Sequence, residues 1–62
     1  MPSKEEALSE LERERNVRVR IYDAWVQSGR MTAIDARDRM DRLVAAIKML
    51  QNYEVSPAEV IA

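Results

Sequence analysis

The side chains with chemical potential in this chain are carboxylates, hydroxyls and arginines, and their spacing limits what each set could do. Asp35, Asp38 and Asp41 recur every three residues. Three acids at that interval could form a magnesium patch or an acid–base pair. On a helix, however, they spread around the surface instead of converging. Asp35–Arg39, Arg37–Asp41 and Asp38–Arg42 are all four apart, the separation at which ion pairs form along a helix. The expected reading is therefore a solvated, salt-bridged face. Ser3, Ser9, Ser28 and Ser56 have no histidine to activate them, because the chain contains no His and no Cys. That composition removes Ser-His-Asp catalysis, thiol chemistry, disulfides and nearly every zinc, haem or iron–sulfur arrangement. No catalytic, cofactor-binding or metal-ligating residue is expected, and no small-molecule substrate.

The arginines are a richer set. Arg13, Arg15, Arg18 and Arg20 cluster just ahead of Tyr22 and Trp25. Mixed arginine and aromatic side chains can grip phosphate and stack on bases. Against this, Glu10, Glu12 and Glu14 are interleaved, and at about 100° per residue Arg15 and Arg18 project opposite Arg13 and Arg20. The formal net charge is -1, from 10 basic and 11 acidic residues, so the chain lacks the basic excess of a general nucleic-acid or membrane-surface binder. Trp25 carries a separate possibility. The bland expectation is a core tryptophan. Exposed beside Tyr22, Arg30 and Met31 near a turn, it would instead make a protein-binding surface.

These residues must be positioned by helices. The only glycine, Gly29, lies between two long amphipathic segments and can end a helix in the left-handed conformation without a Cβ clash. Ser3-Lys4-Glu5-Glu6 is a capping-box pattern that starts helix one, expected over about 4–28. Leu8, Leu11, Tyr22 and Trp25 share one face, with Ala7 and Ile21 at its edge. Arg15 and Arg18 fall on that same face, where their methylene stems can cover the core while the guanidinium groups reach water. Val17 to Tyr22 also alternates like a strand, but the chain offers no second strand to pair with it. After a turn at 29–32, Thr32 can cap helix two, expected over about 33–52. There Ala36, Met40, Leu43, Ile47 and Leu50 repeat with spacing four, three, four, three, a coiled-coil-like seam. Ala33, Val44 and Ala46 widen it. In the tail, 53–62, Ser56, Pro57 and Glu59 could start one terminal helical turn.

The fold class that follows is all-α: a two-helix antiparallel hairpin in a single domain over 1–62. One hairpin seam cannot hide Trp25, two tyrosines, the leucines and four methionines. The economical solution is a homodimer forming a four-helix bundle; a host or phage protein partner would meet the same need. No apolar run approaches the roughly 20 residues of a membrane span. The charged start is unlike a signal peptide, so no membrane role and a cytoplasmic setting are expected.

Residues from about 18 to 47 carry a further pattern: Ile21-Tyr22, then Val26, Gly29, Met31-Thr32 and Ala36, then Ala46-Ile47. It resembles a group of small, mostly uncharacterised helical-hairpin proteins encoded by phages and prophages. Those proteins read Val-Tyr-Pro, then Val-x-x-Gly-x-Met-Thr, then an amphipathic helix ending in Ala-Ile. Their proline is Asp23 here, which lets the first helix continue. The resemblance implies a non-catalytic phage or prophage accessory or regulatory protein acting by protein–protein interaction, and brings no ligand residues. The alternative is a dimer similar in architecture to the small plasmid protein Rop, binding RNA or DNA through Arg13, Arg15, Arg18 and Arg20.

Overall fold

In a computed structural model, residues 1–54 are described. They form α1, Lys4–Gln27, and α2, Ala33–Asn52, with no strand among the described residues. The alternating stretch Val17–Tyr22 is thus helical. The terminal turn expected around Ser56 and Pro57 lies outside the described residues.

Each boundary has a local chemical cause. Ser3 accepts the Glu6 N–H on its side-chain oxygen (3.1 Å), while the Ser3 N–H donates to the Glu6 carboxylate (3.2 Å). Two N–H groups that α1 cannot satisfy internally are thereby used, and Glu5 and Glu6 place negative charge where the helix dipole favours it. Ser28 is the C-cap of α1, so helix one stops one residue short of the furthest expected limit. The Gly29 N–H reaches the Val26 carbonyl (3.2 Å) and the Arg30 N–H the Trp25 carbonyl (2.8 Å), the two bonds of a Schellman motif. That motif needs a left-handed residue after the cap, and Gly29 has φ +81°. Thr32 then opens α2 by accepting the Asp35 N–H (3.1 Å).

The helices run antiparallel. Lys4, at the start of α1, donates through Nζ to the carbonyls of Gln51 (3.0 Å) and Tyr53 (2.7 Å) at the end of α2. α2 has no basic residue in its own last turn, so α1 supplies the cation that its C-terminal dipole favours.

The seam between the helices is thin. Only Leu43 and Ile47, 7% and 3% exposed, are buried among the described residues, and α1 buries none. Leu8, Leu11, Tyr22, Ala36, Met40, Val44 and Leu50 are half-buried around them. Trp25 stands apart from these seam partners: it is 39% exposed, because it falls at the rim of the α1 stripe where one facing helix cannot enclose an indole. Ala33 and Ala46, expected to widen the seam, are exposed.

Candidate functional site

The ionisable residues of α2 lie along its solvent side. Asp35 pairs with Arg39 at 3.5 Å and Asp38 with Arg42 at 2.9 Å. Arg37 and Asp41, the third spacing of this kind, do not pair with each other. Among the described residues no three carboxylates converge on a point where a metal ion could sit. The arrangement neutralises charge along the helix surface and encloses no reaction space.

The four arginines of α1 divide by direction. Arg13 and Arg20 are exposed and line a shallow, open groove on the outer side of the helix with Ser9, Glu12, Asn16 and Val17. Arg15 and Arg18 are half-buried at the edges of the seam. Arg18 bonds Glu14 through Nε at 2.9 Å. That bond is the main reason its pKa is raised above the usual arginine range; partial burial opposes the rise, and nearby Tyr22 adds to it. The two pairs of arginines therefore make no common phosphate cradle.

At the turn, the structure brings together the four residues singled out as a contact surface. The rings of Tyr22 and Trp25 lie 6.0 Å apart, tilted by 33°. The Trp25 carbonyl receives the N–H of Arg30 (2.8 Å), the N–H of Met31 (3.3 Å) and the hydroxyl of Ser28 (3.2 Å). Its backbone is thus a fixed post around which the chain reverses. Trp25 and Arg30 are exposed, whereas Tyr22 and Met31 are half-buried.

Sequence reasoning missed the larger feature to which Trp25 belongs. Val17, Ile21 and Trp25 follow one another at intervals of four and are 43%, 39% and 39% exposed. On α2, Ala46, Met49 and Tyr53 form a second exposed row, with Met49 at 74% and Tyr53 at 47%. At about 100° per residue, each row is displaced from its own seam by about a quarter turn in the same rotational sense. Two antiparallel right-handed helices carry equal displacements onto the same broad face of the pair. Among the described helical residues, the opposite face offers Val19 and Ile34 as exposed large apolar side chains. The available signal was the spacing 17, 21, 25, hidden because Val17 and Ile21 also fit the strand-like alternation.

The rows are separated by charge. Glu10 and Glu14 stand on the same side of α1, and Asp35, Arg39 and Arg42 on the same side of α2. Lys4 sits level with Gln51 and Tyr53, and the chain reverses at Gly29. Glu14 therefore lies near the level of Arg42 and Leu43. The face therefore mixes its two apolar rows with charge, acidic on α1 and of both signs on α2, where Asp35 pairs with Arg39. Comparison with protein-family models, with curated proteins and with solved structures finds no match to this chain.

Proposed function

We propose that this chain is a non-catalytic accessory or regulatory module, of the kind phages and prophages encode, that acts in a bacterial cytoplasm by protein–protein contact. Its first partner is a second copy, the two hairpins forming a four-helix bundle. The observation that supports this reading is the imbalance of apolar surface. Leu43 and Ile47 are buried, while Val17, Ile21, Trp25 and Met49 remain between 39% and 74% exposed, all on one face. Burying apolar area contributes about 25 cal/mol per Å², and a face of this kind on an isolated hairpin forgoes it. Four-helix bundles recover such area by placing two hairpins together.

The test is sedimentation equilibrium over a wide concentration range, with helicity followed on the same samples. A helical dimer of twice the chain mass is expected. A monomer that keeps full helicity when diluted would overturn the self-association, because the spare face would then need no cover.

A second reading is supported by Arg13 and Arg20, which share the exposed outer side of α1 and stay outward when hairpins pair through the apolar face. There they could contact phosphates of RNA or DNA. Such binding would fall steeply with added salt through counterion release, and Arg13→Ala with Arg20→Ala would flatten that dependence. A contact centred on Trp25 would respond to Trp25→Ala and little to salt.

A further inference from the structure

We infer that the hairpin is a conformational device of two unequal halves. The half away from the turn is firm, and the half at the turn loosens first. The surface of Tyr22, Trp25, Arg30 and Met31 belongs to the looser half, so it can repack against what it touches. The inference concerns the single hairpin and does not depend on a second copy.

Antiparallel pairing follows from the turn at Gly29 and the two Lys4 bonds. It sets residues 4–15 of α1 beside 43–52 of α2, and residues 16–27 beside 33–42. Leu43 and Ile47, the side chains buried among the described residues, both belong to the half away from the turn. Leu8, Leu11 and Leu50 are half-buried in the same half. Lys4 closes its end through the carbonyls of Gln51 and Tyr53. Helix ends far from a connecting turn ordinarily fray unless tied down. Here the tie and the buried pair lie together at that end, which reverses the usual order.

The turn half buries no side chain among the described residues. Its seam positions are Arg18, Tyr22 and Val26 on α1 and Ala36 and Met40 on α2, all half-buried. Ala36 offers one methyl group, and Met40 an unbranched side chain with several rotatable bonds. Trp25, the largest apolar group of this half, is 39% exposed. Arg15 and Arg18 also interrupt the apolar stripe of α1 between Leu11 and Tyr22, and Arg18 turns its Nε to Glu14 at 2.9 Å. The seam is thus two apolar blocks with arginine stems between them. Local opening follows the amount of buried apolar packing, and short helical segments are marginal without it. The hydrogen bonds on the Trp25 carbonyl hold the chain reversal itself, so what loosens is the packing of the helices beside the turn. Meanwhile the firm half keeps the helices paired.

Amide hydrogen exchange, resolved residue by residue, tests this at two protein concentrations about tenfold apart. Amides of 45–50 are expected to exchange at least about threefold more slowly than those of 37–42, at both concentrations. A smaller difference, or slower exchange at 37–42, would overturn the inference. Failure of self-association would remove the concentration dependence of the rates and leave this difference in place, so the two readings fail separately. Trp25 is the only tryptophan, so its emission reports the turn half alone. That emission should change at lower denaturant than the loss of helicity, and coincident transitions would count against two halves. Arg15→Leu with Arg18→Leu joins the apolar blocks and should narrow the exchange difference by about threefold or more. An unchanged difference in that variant would overturn the arginines as the joint between the halves.

Discussion

At the residue scale, two positions have consequences that their chemistry dictates. Gly29 has φ +81° and open space where a Cβ would stand, so replacing it meets no collision. The cost of Gly29→Ala is conformational alone, about 1 kcal/mol, from forcing an L-residue into the left-handed region. Chemical denaturation should show that loss with an unchanged helical spectrum at low denaturant. Arg18 has the one shifted pKa resolved among the described residues, raised chiefly by Glu14. A base whose folded pKa lies above its unfolded value stabilises fully below the unfolded value and loses that stability only as pH rises through the folded one. For Arg18 that window lies above the ordinary arginine range, far beyond neutral pH. Thermal unfolding from pH ~6 to ~9 should therefore carry no contribution from Arg18 titration. A change in this window that vanished in Arg18→Met would contradict the assignment.

At the scale of the elements, the two helices depend on one another unequally. α2 owns both side chains that are buried among the described residues, and Ile47 is 3% exposed. Removing its methyl groups in Ile47→Ala should cost roughly 2–4 kcal/mol, the range for a buried isoleucine. Ile34→Ala, at a position 83% exposed, should stay within about 0.5 kcal/mol of the parent. The contrast is read from denaturation midpoints. α1 contributes no buried residue but closes the end of α2 through Lys4. Lys4→Met should fray the last turn of α2, seen as faster amide exchange there, with a loss of about 0.5 kcal/mol that shrinks at high salt.

The whole molecule is a two-layer object with one thin seam. A hairpin that buries two side chains among its described residues has little stability of its own, since most helical stability comes from packing an amphipathic face. Pairing of copies should make the melting temperature rise with protein concentration, by mass action. A melting temperature constant over a hundredfold range of concentration would show that the hairpin alone accounts for the stability.

The hairpin was legible in the sequence because its determinants are local. Ser3 and Glu6 make a capping box, Thr32 caps α2, Gly29 ends α1, and the spacing from Ala36 to Leu50 declares a helix with one apolar stripe. Each acts over a few residues, so it reads the same on paper as in space. The seam role of Arg18 was also visible, because helical periodicity alone places it on the face of Leu11 and Tyr22. What surrounds a side chain depends on the other helix, and there the sequence fell short. Trp25 shares a stripe with Tyr22, yet a single partner helix leaves it 39% exposed. The row Val17, Ile21 and Trp25 joins the row Ala46 and Met49 only once antiparallel packing turns both to the same side. The capping of α2 by Lys4 spans 47 and 49 residues, and no local pattern announces it. Local hydrogen bonding and periodicity thus determined the elements, while tertiary packing decided which apolar side chains were enclosed and which were left exposed.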